Sequence, residues 1–118
     1  MEILVIEDIA DAAQSLADVL ELEGHRVRVA MDGRSGIAKA RELRPEVVLC
    51  DIGLPDVSGY EVARTLRANG GQQTMRLIAL SGYAQAEDVQ RARDAGFDAH
   101  ISKPPSIETL LALLAPGV

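Results

Sequence analysis

The sequence predicts an α/β fold, an open and doubly wound parallel sheet of five strands with helices on both faces. Three observations carry this. The apolar runs Ile3–Ile6, Val47–Cys50 and Leu77–Leu80 read as strands buried on both faces. Between them the apolar residues recur at helical spacing. Gly, Pro, Asp or Asn marks most changes of pattern, so the connections are short. Strands joined by helices pair in parallel with right-handed crossovers.

The elements follow in order. Ile3–Ile6 ends at Glu7-Asp8. From Asp11, Ala12, Ala13, Leu16, Val19 and Leu20 recur at helical spacing, with Asp8 or Asp11 as the cap and Gly24 as the stop. Val27, Val29 and Met31 alternate with Arg28 and Ala30 as a half-exposed strand. Asp32-Gly33 reads as a turn. Ile37, Ala38, Ala40, Arg41 and Leu43 make the second helix, which Pro45 ends. After the strand Val47–Cys50, Ser58 and Glu61 suggest a capping box. Val62, Ala63 and Leu66 give the third helix its apolar face, with Arg64 and Arg67 pointing elsewhere, and Asn69-Gly70-Gly71 closes it. Leu77–Leu80 ends at Ser81-Gly82. Gln85 to Ala95 is a thinly apolar helix with Ala86, Val89, Ala92 and Ala95 on one face, and Gly96 stops it. Phe97, Ala99 and Ile101 lead through a fifth strand to Ser102-Lys103-Pro104-Pro105. Ile107, Leu110, Leu111 and Leu114 form the last amphipathic helix.

The 118 residues suit one domain, 1–118, with no linker or repeat and a core that is aliphatic because aromatics are only 3%. A net charge of −6 argues against direct binding to nucleic acid or to an anionic membrane. No apolar run reaches membrane-spanning length, and the start lacks a signal peptide's basic region and long apolar centre. A single cysteine excludes an internal disulfide, and the cytoplasm is the expected location. Cys50 reads as a small core residue, His25 as a solvated turn residue and Asp56 as turn chemistry.

In a parallel sheet all carboxyl ends share one edge, where ligands of open α/β sheets bind. The strand ends bring Glu7, Asp8, Asp51, Ser81 and Lys103 to that rim. Three clustered carboxylates repel one another, and a hard divalent cation relieves this. Magnesium, or manganese in its place, keeps waters and leaves room for a phosphate oxygen. Lys103 supplies a point charge for a second oxygen and Ser81 a hydrogen bond. The set suits transfer of a phosphoryl group onto a carboxylate nucleophile. Neither G-x-x-x-x-G-K-[ST] nor G-x-G-x-x-G is present, so a small or protein-borne donor fits better than a nucleotide.

With these residues the whole chain resembles the receiver domain of two-component response regulators. The resemblance rests on Glu7-Asp8, on Asp51 in Cys50-Asp51-Ile52-Gly53-Leu54-Pro55-Asp56, and on Gly59, Ser81-Gly82, Gly96 and Lys103-Pro104. It implies the flavodoxin-like (βα)5 three-layer sandwich with strand order 2-1-3-4-5. It also implies that Asp51 accepts a phosphoryl group from a histidine kinase or histidine phosphotransfer protein. Asp8, Asp51 and the Gly53 carbonyl are then the metal ligands, with Glu7 acting mostly through water. Ser81 and Lys103 contact the phosphoryl oxygens, and Lys103-Pro104 is cis. Phosphorylation draws Ser81 inward and switches the surface around the fourth helix, fifth strand and fifth helix.

One departure is His100, where the family usually has Tyr or Phe. Its ring either packs, partly buried, or swings with Ser81, which would make output weaker or pH-dependent. Gly53 and Tyr83 are expected to flank the phosphoryl group. Three other functions compete. A haloacid-dehalogenase-like phosphatase needs a second acid two residues after the nucleophile, where Gly53 stands. A flavodoxin-like cofactor binder needs a phosphate loop after the first strand, where Glu7-Asp8 would repel phosphate. A degenerate receiver used only for protein interaction conflicts with the complete acid, hydroxyl and lysine set. The downstream target is not legible; the chain suits a single-domain regulator or the receiver of a hybrid histidine kinase.

Overall fold

A computed structural model describes residues 1–68, 75–82 and 86–114. The elements are β1 (Glu2–Ile6), α1 (Ala10–Leu22), β2 (Arg26–Ala30), α2 (Gly33–Leu43), β3 (Val47–Asp51), α3 (Gly59–Ala68), β4 (Arg76–Ser81), α4 (Ala86–Ala95), β5 (Ala99–Ser102) and α5 (Ile107–Leu114). All pairings in the sheet are parallel and its order is β2-β1-β3-β4-β5. The five-stranded sheet expected from sequence is therefore present in the expected order.

The two-residue period of the strands divides the core. Leu4, Ile6, Val48, Cys50, Leu77 and Ala79 face one side, where Ala40, Leu66 and Ala92 bring in α2, α3 and α4. Ile3, Val5, Val47, Leu49, Ile78 and Leu80 face the other, against Leu16 and Leu20 of α1 and Leu110 and Leu114 of α5. Strands covered on both faces have no solvent side, which is why β1, β3 and β4 are near-continuous apolar runs. Strand β2 lies at the edge, so Arg26 and Arg28 are exposed, Val27 and Val29 are half-buried, and Ala30 at its end is buried.

Several local expectations are corrected. Neither Asp8 nor Asp11 caps α1: Ile9 is the extended residue before the helix and makes no side-chain cap, while Asp11 already sits in the first turn. There its charge still faces the positive helix end. Met31 lies beyond β2 and is exposed. Asp32 is not turn chemistry but the N-cap of α2, accepting from the Ser35 amide at 2.8 Å. Ser58 accepts from the Glu61 amide at 3.3 Å, but the Glu61 carboxylate pairs with Arg64, so only half the capping box forms. His25 is half-buried, with its Nδ1 3.2 Å from the N-terminal ammonium.

Arg67 departs most from expectation. Its guanidinium donates to the Gly96 carbonyl at 2.9 Å and the Met75 carbonyl at 2.7 Å, and meets Asp98 at 2.7 Å. It ties α3 to the segments before β4 and β5. The expected stop Asn69-Gly70-Gly71, Gln85 at the head of the fourth helix, Tyr83 and the tail after Leu114 lie outside the described residues.

Candidate functional site

The chain leaves β1 for β2 on one side and returns to β3 on the other. The sheet's switch point therefore lies between β1 and β3, at their carboxyl ends. Glu7 follows β1 directly, and its amide donates to the Ala30 carbonyl, extending the ladder by one residue. Asp8 stands beside it, half-exposed. Asp51 ends β3, Ser81 ends β4, and Lys103 follows β5 directly and is joined to Pro104 by a cis bond. The Lys103 amide donates to the Ser81 carbonyl at 2.8 Å, which brings the end of β5 against that of β4.

These ends converge. Lys103 Nζ lies 2.7 Å from Glu7 Oε1 and 2.9 Å from Asp51 Oδ2. The Gly53 amide donates to Asp51 Oδ1 at 3.2 Å. Glu7, Asp51 and Ser81 are only 2%, 7% and 6% exposed, and among the described residues they are the buried polar or charged groups. Burial, reinforced by Asp51, raises the Glu7 carboxyl to about 7. Burial also works to raise Asp51, but its hydrogen bonds with Glu7, Lys103 and the Gly53 amide outweigh this and hold it below the usual carboxylate range. Burial disfavours the Lys103 ammonium, yet its two carboxylate partners raise it. At neutral pH the site thus holds an ionised Asp51 beside a charged lysine, with Glu7 held well above the usual carboxylate range. Burial drives the adjacent Cys50 thiol far up, so it stays a neutral core residue as expected.

Carboxylate oxygens of Glu7, Asp8 and Asp51 lie within 4.8 Å of one another. Glu7 Oε2 is buried and has no hydrogen-bond partner. A close set of hard oxygen donors with one buried oxygen unsatisfied is what a divalent cation requires. The residues fit such an ion, whose charge would offset the burial and the neighbouring Asp51 that together raise Glu7.

Gly59 is held against the acceptor strand. A Cβ there would lie 2.5 Å from the Asp51 carbonyl oxygen and 2.8 Å from the Ile52 Cα, both backbone atoms. Gly59→Ala is therefore expected to cost about 1–3 kcal/mol through overpacking and to displace Asp51. Thermal denaturation and the Asp51 amide resonance measure the two effects.

The rim residues expected from sequence, Glu7, Asp8, Asp51, Ser81 and Lys103, thus gather at one edge, with Gly53 beside Asp51. His100 stands apart. It pairs with Ala79 across the sheet and faces α4, lining a pocket of about 230 Å³ with Val89, Ala92 and Phe97. Its Nε2 is buried without a partner. Sequence reading missed Asp56, which is no mere turn residue: its two carboxylate oxygens accept from the Gly33 and Arg34 amides at 2.8 and 2.9 Å. Its partners lie 23 and 22 residues away, and no local pattern marks that pairing.

Against known proteins, residues 3–115 match the model of the response regulator receiver domain. The chain belongs to that family. The polar-differentiation response regulator DivK of Brucella anthropi is 33% identical over 105 residues, 89% of this chain and 85% of DivK. The DNA-binding response regulator MtrA of Mycobacterium tuberculosis is 37% identical over 110 residues, 93% of this chain but 47% of MtrA. The chain thus spans about half of that relative. Among solved structures, a CheY-like receiver domain protein from Methanospirillum hungatei superposes with a TM-score of 0.85 at 32% identity, covering 96% of this chain and 89% of the other. Receiver domains are phosphoacceptor signalling modules of two-component systems rather than turnover enzymes. The acidic cluster of this receiver is arranged for that chemistry. No helix among the described residues is long and apolar enough to cross a membrane.

Proposed function

We propose that Asp51 is the phosphoacceptor and takes its phosphoryl group from a phosphohistidine of a histidine kinase or histidine phosphotransfer domain. The observation that carries this is the Asp51 carboxylate itself, nearly buried, ionised and held by Lys103 and the Gly53 amide. A preoriented anion of this kind is the nucleophile that phosphoryl transfer needs. An Asp51 oxygen bonds to phosphorus as the phosphorus–nitrogen bond breaks, and the released imidazole keeps the electron pair. Lys103 neutralises charge on the transferring oxygens, and the Ser81 hydroxyl donates to one of them. Asp8, Asp51 and the Gly53 carbonyl would hold magnesium or manganese, with Glu7 acting mostly through water. When bound, the cation supplies further charge neutralisation at the phosphoryl group.

Residues 1–118 form one receiver domain in this reading, either a single-domain regulator or part of a longer protein such as a hybrid histidine kinase. We assign it to the cytoplasm. The phosphodonor has an apolar seat next to the acceptor. A groove of about 470 Å³ between α1 and α5 borders Glu7 and Lys103, and Ile9 and Ile107 on its rim are 57% and 51% exposed. Phosphorylation then draws in Ser81, moves His100 and alters the α4–β5–α5 surface that a downstream target reads.

Incubation with magnesium and acetyl phosphate, read by intact mass, tests the reading. One magnesium-dependent phosphoryl adduct that peptide mapping assigns to Asp51 supports it. No adduct, together with no binding of beryllofluoride, would replace it with a receiver used only for protein interaction. Magnesium affinity is also expected to depend on pH. Glu7, raised to about 7, must give up its proton as the cation binds. Affinity should therefore fall as pH drops below that value, approaching roughly tenfold per pH unit. Magnesium titrations at several pH values, followed by amide resonances, measure the slope.

A further inference from the structure

We propose that Asp56 is a positioning residue for the phosphoacceptor site, setting the stance of the loop that carries Gly53 by fastening it to the first turn of α2. The proposal rests on the reading of Asp51 and Gly53 given above. Residues 52–58 connect β3 to α3 and are held at three places. At the entry, the Ile52 amide donates to the Leu80 carbonyl at 3.0 Å. At the exit, the Gly59 amide donates back to the Ile52 carbonyl at 2.9 Å. Between them, Asp56 Oδ1 accepts from the Gly33 amide and Oδ2 from the Arg34 amide.

Gly53 has no comparable support of its own. It is exposed, nothing lies within 4 Å of where its Cβ would be, and its amide bond to Asp51 Oδ1 is 3.2 Å long. Its placement therefore depends on the anchored points either side of it. The anchor at Asp56 is stiff. Both carboxylate oxygens bind amides at a positive helix end, where charge-assisted bonds are strong. Directly beside it, Val57 closes on α2: a Cβ at Gly33 would lie 2.4 Å from Val57 Cγ2. The first turn of α2 and the Gly53 loop thus behave as one piece. Groups that orient a metal's ligands from outside its shell commonly change affinity when removed, without touching the ion.

The structure supplies its own control. Asp32 caps the same helix through the Ser35 amide at 2.8 Å, within the helix's own first turn and away from the loop. Removing Asp32 weakens α2 but spares the tether; removing Asp56 weakens α2 and cuts the tether. Asp56→Ala is expected to weaken magnesium binding by about tenfold and to shift the Gly53 amide resonance even without metal. Asp32→Ala should lower thermal stability comparably while leaving both readings as in the wild type. Asp56→Asn, which keeps one carbonyl acceptor, should fall between, and it carries the test should Asp56→Ala not fold. The proposal is overturned by Asp56 variants with wild-type magnesium affinity and Gly53 resonance, or by Asp32→Ala reproducing their shifts. Magnesium titration by amide resonances needs no phosphoryl transfer. A wild type that binds magnesium but takes no phosphoryl group would thus count against the acceptor reading alone, and the Gly53 resonance reports on the tether in either case.

Discussion

Asp51→Asn is expected to take up no phosphoryl group under conditions that fully label the wild type. An amide oxygen is a far weaker nucleophile than a carboxylate, and the substitution keeps the side chain's shape. The Asn carbonyl can still accept from the Gly53 amide, so the loop has no reason to move. Lys103 keeps its 2.7 Å partner Glu7. The buried cluster loses one negative charge, and the part of Glu7's upward shift that comes from Asp51 disappears, so Glu7 should titrate below about 7. The variant should consequently melt no lower than the wild type at neutral pH. Intact mass measures the label and thermal denaturation the stability. A labelled and folded Asn variant would move the acceptor to Glu7 or Asp8 and sink the assignment.

What the sequence revealed and what it hid divide on physical grounds. Ile3–Ile6, Val47–Cys50 and Leu77–Leu80 were legible because a strand covered on both faces has nowhere to put a polar residue. The acids, hydroxyl and lysine beyond those runs were legible because a parallel sheet sends all its carboxyl ends to one edge. The hidden features are side chains that bind backbone groups outside their own element. Arg67 binds the carbonyls of Met75 and Gly96, and Asp56 the amides of Gly33 and Arg34. A carbonyl or amide carries no residue identity, so no motif marks these pairings. Local patterns were ambiguous where two acids flanked one boundary: Asp8 and Asp11 both suit a cap, yet Ile9 takes the capping position between them. For His100 the residue order left packing and switching open; its half-buried position and unpartnered Nε2 depend on the packing of α4 and have no counterpart in the residue order.

Lys103→Met has the second large expected effect, because it removes a charge while nearly preserving the side chain's length. Phosphoryl uptake should slow by roughly two orders of magnitude, as when one preorganised charge-stabilising donor is removed from an active site. Stability should fall as well, since Glu7 and Asp51 lose the ammonium 2.7 and 2.9 Å away while remaining buried. Breaking a buried pair costs roughly 3–5 kcal/mol. Here the low end applies, because Lys103 is itself 26% exposed and water can partly replace it. The loss should depend on pH in a definite direction. Without the lysine both carboxyls shift upward, so the folded state holds more protons than the unfolded chain between the ordinary carboxyl range and the raised values. Stability therefore falls as pH rises through that window and recovers as pH falls. Wild-type Asp51 lies below its ordinary value and adds no slope above it, so in the wild type only Glu7, raised to about 7, falls in this window, a shallower loss than two raised carboxyls give. Denaturation of both proteins from pH 5 to 8 should show the curves diverging with increasing pH. Magnesium should narrow the gap at the upper end, because the cation restores the missing positive charge. A constant difference across that range would mean that Lys103 stabilises the rim by packing alone.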